Sequence, residues 1–300
     1  MNILLAYNKT SWHKSGYYFE KYFERWGCKV TSIALEDTPT WTNWKGRVPF
    51  YFPKGIPKSI GSKFDLVIEI DGAGQHHLAR LFSNTPSILW SIDTHLEEKR
   101  NFLKGIAYDF SAIFISNMDH VKDFQDSFGG TYCEWLPLAC DPDLHRKLDL
   151  PKLHDISFIG NYSGMKYIQR KLILQLLQCY FKVNIVQAFG EDMVKVVNES
   201  KICFNRSLGG DFNMRVFETL GCGTMLLTDE IKNGLPYLFE DGKDLVLYRS
   251  YKELLDEVNY YLTNDEEREK IAEQGRQMAL RNTYYHRAKQ ILDFAEFKWK

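Results

Sequence analysis

Apolar runs of strand length alternate with helix-period segments from the first residue to about residue 248, and that alternation leaves few folds open. Short apolar runs without a polar face are the pattern of strands buried on both sides, as in a parallel sheet covered by crossover helices. In the first half the pattern predicts strands over 2–7, 29–35, 66–70, 86–92, 112–116 and 133–136. Residues 137–151 hold Pro137, Pro142 and Pro151 with little periodicity and read as a linker. The alternation then restarts, with strands predicted over 156–160, 183–186, 202–205, 224–228 and 245–248 and helices over 165–181, 191–199 and 213–220. Three helical segments close the chain, over 251–262, 265–281 and 284–299. Three hundred residues with 44% hydrophobic content suffice for two cores of about 150 residues each. The expected fold class is α/β, two Rossmann-like parallel-sheet domains facing a cleft, divided at residues 1–145 and 146–283.

Charge narrows the partners. With 38 basic and 39 acidic residues and a net charge of −1, there is no general attraction to nucleic acid or an anionic membrane. No apolar run approaches the roughly 18 residues that would span a bilayer, and no charged segment precedes an apolar one at the start, so a soluble cytoplasmic protein is expected. The six cysteines include no C-x-x-C pair and are expected to be free thiols. His76 and His77 are adjacent rather than one helical turn apart, and no metal site is expected.

The stretch from Asp211 to Asp229, DFNMRVFETLGCGTMLLTD, carries the most chemistry. On a helix, Asp211, Arg215 and Glu218 fall within roughly 60° of one another while Phe212, Val216, Phe217 and Leu220 spread over the other side. Gly221 and Gly223 are expected to end that helix before a short buried strand. A competing reading makes Arg215 and Glu218 an ordinary surface pair at i,i+3.

This stretch resembles the nucleotide-sugar half of GT-B glycosyltransferases, specifically the spore-maturation CgeB-like group with its R-x-F-E-x-x-x-C-G signature. WLPLACDP at 135–142, FIGN at 158–161 and YYHRA at 284–288 add to the resemblance, which spans most of the chain beyond residue 86. It implies a sugar transfer from a nucleotide-diphosphate donor to a hydroxyl-bearing acceptor, with no metal and no cofactor besides the donor. The acceptor (glycan, lipid, peptide or small molecule) and the oligomeric state stay open. It further implies that the last helix, 284–300, crosses back onto the first domain. The related family-four glycosyltransferases place two glutamates with seven residues between them; the second matches Glu218, whereas the first falls on Gly210, beside Asp211.

Such a transferase must bind two phosphates, recognise a ribose and stabilise charge on the departing diphosphate. Gly160, Asn161, Tyr162 and Ser163 follow a predicted strand and precede a helix with Lys166 and Arg170, so they read as a phosphate loop or as a plain tight turn. Arg215 supplies a planar cationic fork for the leaving group, and Glu218 an acceptor for ribose hydroxyls. Asn205, Arg206, Ser207, Gly209 and Gly210 form the strand-to-helix loop; Asn205, Asp211 and Asn213 are candidate donor contacts, and Arg206 equally a solvated surface residue.

On the first domain, Asp93 and His95 follow a predicted strand and are candidates for activating the acceptor, with helix capping by Asp93 or Thr94 as the other reading. Asp71, Gln75, His76 and His13 are further candidates. The aromatic loop 41–57 suits a sugar or aglycone, or is a loop pinned by its own rings. Two rival functions remain: a nucleotide-sugar epimerase, and a nucleotide-sugar-binding protein without turnover.

Overall fold

A computed structural model describes residues 1–9, 14–34, 64–70, 79, 82–127 and 131–299. The chain divides into two compact units, Met1–Pro137 with Tyr284–Lys300, and Leu138–Thr283.

The first unit is built on six parallel strands, β1 (Asn2–Tyr7), β2 (Lys29–Ala34), β3 (Leu66–Ile70), β4 (Ser87–Ser91), β5 (Ala112–Ile115) and β6 (Tyr132–Trp135), in the order β2-β1-β3-β4-β5-β6. β3, β4 and β5 are buried along their whole length, the arrangement that a continuous apolar run encodes. Helices α1 (Ser15–Arg25), α2 (Glu97–Ile106) and α3 (Val121–Ser127) belong to this unit. Trp90 in β4 is fully buried and donates its indole N–H to the Leu136 carbonyl at 2.8 Å, so the largest core side chain leaves no polar atom unpaired.

The second unit has five parallel strands, β7 (His154–Ile159), β8 (Val183–Val186), β9 (Ser200–Asn205), β10 (Met225–Asp229) and β11 (Val246–Tyr248), ordered β11-β10-β9-β7-β8. The chain steps from β7 to β8 on one side and then crosses back to place β9 on the other. The topological switch therefore lies between β7 and β9, and in open α/β sheets the crevice beyond the carboxyl ends of such a strand pair receives ligands. Its helices are α4 (Ile168–Gln178), α5 (Gly190–Asn198), α6 (Met214–Gly221), α7 (Leu235–Leu238), α8 (Tyr251–Thr263) and α9 (Asp265–Leu280).

Of the three closing helices only the last, α10 (Tyr284–Trp299), joins the first unit. Aromatic stacking holds it there: Tyr284 stacks on Tyr18 of α1 with centroids 5.0 Å apart, and Tyr285 on Trp26 at 4.5 Å. Arg287, buried at 5% exposure, donates Nε to the Pro137 carbonyl at 3.1 Å. The fold class expected from the alternation is present, two Rossmann-like parallel sheets covered by helices. No helix among the described residues is long and apolar enough to cross a membrane.

Helix α9 backs the strand and helix that hold the candidate site, and it approaches closely because position 275 has no side chain. A Cβ on Gly275 would meet the Asp244 carbonyl oxygen at 2.1 Å and Leu220 Cδ2 of α6 at 2.8 Å. Backbone on one side cannot give way as a flexible side chain would. Gly275→Ala is expected to destabilise the protein by about 1–3 kcal/mol despite alanine's better helix propensity, a loss that a denaturant midpoint reads.

All six cysteines are free, and burial pushes the thiols of Cys133 and Cys203 up to about 12. Cys179 alone is exposed. A disulfide reagent at neutral pH is expected to modify Cys179 first in the native protein, and Cys179→Ser to remove that phase.

Candidate donor site on the second unit

Two loops border the switch between β7 and β9. The first, Gly160 to Gly164, is a tight turn: the Asn161 carboxamide oxygen accepts the Ser163 N–H at 2.9 Å, and Gly164 has φ +93°. The expected helix does not start directly after it. Residues Met165–Tyr167 form one 3-10 turn and α4 begins only at Ile168, so the Ser163 amide is already bonded and the helix end lies further along than the sequence pattern indicates. Tyr162 packs against the unit's core, and the exposed Lys166 ammonium sits over the Tyr167 ring at 4.8 Å.

Arg170 differs most from its sequence expectation. Its Nη1 donates to the Asn161 carbonyl at 2.6 Å and its Nη2 to the Arg206 carbonyl at 2.5 Å, so one guanidinium ties together the two loops that flank the switch. Burial lowers its pKa, and the rings of Phe158 and Tyr167 lie 5.4 and 5.1 Å away. Arg170 thus braces the two loops, a role the sequence does not indicate.

The second loop, after β9, is locked to β10. Asn205, 4% exposed, donates its amide to Thr228 Oγ1 at 2.9 Å, a strand-to-strand bond rather than a free donor contact. The buried Asp229 carboxylate accepts from the Ser207 backbone N–H at 2.6 Å and from Arg206 Nη1 at 2.8 Å. Arg206 is therefore a paired residue and not simply solvated. Gly209 and Gly210 follow with φ +63° and +75°. The position that the family-four pattern would give to a glutamate is thus a left-handed turn, which a glutamate would adopt only with strain.

Helix α6 starts at Met214, so Asp211 lies in the preceding loop and not on the helical stripe. The loop ends at Asn213, which occupies the N-cap position without bonding the helix through its side chain. Gly221 is the last helical residue, and only Gly223, at φ +72°, has the left-handed backbone. Arg215 and Glu218 do share an edge, with Nη1 and Oε2 3.0 Å apart. Their side chains are 19% and 7% exposed, which replaces the surface-pair reading with a largely buried ion pair. Among the described residues, Arg215 Nε and Nη1 and Asn213 Oδ1 are buried atoms without a hydrogen bond of good geometry. Buried polar atoms are nearly always bonded, so these atoms mark a polar cluster at the start of α6. His145, which the sequence gives no reason to single out, stands beside it: Nε2 is 3.6 Å from Glu218 Oε1.

The first-unit candidates are structurally engaged. Asp93 pairs with Lys99 at 3.0 Å, and the N-cap of α2 is Leu96, so neither Asp93 nor Thr94 caps that helix through its side chain. Thr94 is buried and donates to Asn117 Oδ1 at 2.9 Å; His120 Nδ1 is 3.0 Å from Thr94 Oγ1 and its Nε2 is 3.2 Å from Arg100 Nη1. Arg100 can only donate, so His120 is neutral with its proton on Nδ1. His95 is half-buried beside this network and adds to the positive field at His120. His13, Asp71, Gly72, Gln75, His76 and the 41–57 loop lie outside the described residues. Among the described residues no three His, Cys, Asp or Glu side chains come together as a metal site.

Residues 168–293 match a family model described as Glycosyl transferase-like. No curated protein matches the chain. Solved structures similar over nearly the whole chain include HepE of Anabaena in complex with UDP-glucose, 13% identical with 99% of both chains covered and a TM-score of 0.69. A glycosyltransferase from Rickettsia africae is 12% identical, covering 100% of this chain and 99% of its own, at TM-score 0.67. Sucrose-phosphate synthase of Thermosynechococcus elongatus is 10% identical, covering 99% and 98%, at TM-score 0.65. At these identities the likeness is one of fold, and the fold is GT-B, as the sequence resemblance implies.

Burial lowers the pKa of His120, with Arg100 adding to the effect and Asp119 and Asp123 opposing it; His286 is lowered by burial and by Arg287. Folded-state values below the unfolded value of about 6.5 mean that the unfolded chain binds more protons as pH falls through that value. Stability is therefore expected to be full above about pH 6.5 and to decline below it. Melting temperatures from about pH 7.5 to about pH 5.5 test this, with a smaller decline in His120→Asn.

Proposed function

We propose that the protein is a glycosyltransferase of the CgeB-like group that transfers a sugar from a nucleotide-diphosphate donor to a hydroxyl-bearing acceptor. The observation that carries the reading is the buried Arg215–Glu218 pair at the start of α6, with Arg215 Nε and Asn213 Oδ1 lacking hydrogen-bond partners among the described residues. A departing diphosphate needs a cation held in place before charge develops, and a guanidinium fixed by a carboxylate provides it without reorganisation. Glu218, a carboxylate with one oxygen on Arg215, is the acceptor we assign to the ribose hydroxyls. Lys166 is exposed and reaches the same end of the sheet from the β7 loop, where it supplies a second phosphate contact. UDP-sugars are the first donors to try, because the structure of similar fold from Anabaena holds UDP-glucose.

On the acceptor side, Asp93 and His95 remain our candidates for accepting the hydroxyl proton, carried on the loop after β4. We take the reaction to need no metal and no cofactor beyond the donor, with Arg215 in the role a divalent cation would play. A cytoplasmic setting fits six free thiols.

Incubating the purified protein with UDP-, GDP-, dTDP- and CDP-sugars tests the reading. Slow release of free nucleotide without acceptor supports a transferase. Interconversion of sugars indicates an epimerase instead, and binding without change an inert module. Arg215→Ala is expected to lower nucleotide release by about 10²-fold or more, with Arg215→Lys recovering only part because an ammonium cannot hold two oxygens in one plane. EDTA is expected to leave the rate unchanged; loss of activity restored by a divalent cation would contradict the metal-free mechanism.

A further inference from the structure

We infer that His145 is a positioning residue that aims the Glu218 carboxylate, and through it the Arg215 fork, from the segment that opens the second unit. This inference rests on the donor-site reading above. His145 is 1% exposed, and its ring is oriented by a turn in its own segment. The His145 backbone N–H donates to the Asp141 carbonyl at 2.7 Å, and the Asp141 backbone N–H donates to His145 Nδ1 at 2.9 Å. A backbone N–H can only donate. Nδ1 must therefore present its lone pair, which puts the ring proton on Nε2.

That N–H faces the carboxylate: Nε2 is 3.6 Å from Glu218 Oε1, while Oε2 of the same carboxylate is 3.0 Å from Arg215 Nη1. At 3.6 Å the contact is longer than a hydrogen bond, and a small rotation of Glu218 closes it. The carboxylate is thus bounded on both oxygens, by a guanidinium on its own helix and by an imidazole on a different segment. The two segments touch directly. A Cβ at Gly221, the end of α6, would lie 3.2 Å from the His145 carbonyl oxygen and 3.3 Å from Cys140 Sγ, so the glycine lets the 140–145 turn sit against the helix. His145 thereby adds a contact from a second segment to a side chain otherwise held by an ion pair on its own helix, and in doing so helps set where the Arg215 fork points.

Two replacements, each keeping a polar group near one ring nitrogen only, separate this role from simple support of the turn. His145→Asn can keep an acceptor where Nδ1 stands, preserving the bond from Asp141 N–H, but has no group at Nε2. His145→Gln can keep a donor where Nε2 stands but loses the Nδ1 acceptor. A positioning role predicts that His145→Asn lowers UDP affinity by roughly fivefold or more while losing less melting temperature than His145→Gln, and that His145→Gln keeps near wild-type affinity despite its larger loss of melting temperature. Wild-type affinity in His145→Asn, or losses in both variants that simply follow melting temperature, would overturn it.

A ligand-free readout tests the positioning contact independently of nucleotide binding. Side-chain nitrogen spectra of the unliganded protein are expected to show His145 as the Nε2–H tautomer, and an Arg215 Nε–H resonance that shifts or broadens in His145→Asn but not in His145→Gln. The Nδ1–H tautomer, or an Arg215 signal indifferent to both changes, would overturn the inference whether or not the protein binds nucleotide. Failure of the wild type to bind any nucleotide, with the tautomer and the Arg215 response as expected, would instead remove the donor-site reading and leave the positioning contact standing.

Discussion

The Arg215–Glu218 ion pair is the contact on which the account of the second unit depends. An arginine and a glutamate on one exposed helix face would contribute only about 0.2–0.5 kcal/mol and need no explanation. Here both side chains are mostly removed from water, where desolvation of two charges offsets most of their attraction and a well-packed apolar pair would often be as stable. Stability alone is a poor reason to bury such a pair while part of the guanidinium lacks hydrogen bonds. The proposed diphosphate donor is a sufficient reason, because its oxygens would complete the hydrogen bonds that the fold leaves open.

The surrounding structure holds that edge in place through two polar fasteners. Asp229 at the end of β10 binds the backbone and side chains of the loop after β9, and Arg170 on α4 binds the carbonyls of both loops at the switch. Each uses a charged group to fix backbone, which gives the loops a defined shape at the sheet's carboxyl edge without regular secondary structure. The left-handed glycines 209 and 210 then turn the chain into α6, and α9 presses α6 against the sheet because Gly275 permits close approach. The geometry of the loops is thereby tied to packing in the core.

The sheets were largely legible in the sequence because strands buried on both faces are written as unbroken apolar runs. Leu66–Ile70 forms as the pattern predicts and is buried throughout; the half-buried edge strand Val183–Val186 and the closing helix Tyr284–Trp299 also form where expected. Local irregularity was less legible. Helical periodicity drew Asp211 onto the stripe of α6, whereas Asn213 sits in extended backbone and the helix begins only after it. The same periodicity ran α4 back to residue 165, where a single 3-10 turn stands. Pairings between distant positions were not legible at all. Nothing in the residues near His145 points to Glu218, and nothing in the helix around Arg170 reveals that its cation ties together two loop carbonyls.

A crystal of the protein soaked with UDP tests the central claim most directly. The account predicts electron density for the diphosphate beside the start of α6, with its oxygens within hydrogen-bond distance of Arg215 Nε and a ribose hydroxyl on Glu218. A diphosphate bound elsewhere on the protein, with the Arg215–Glu218 edge untouched, would contradict it.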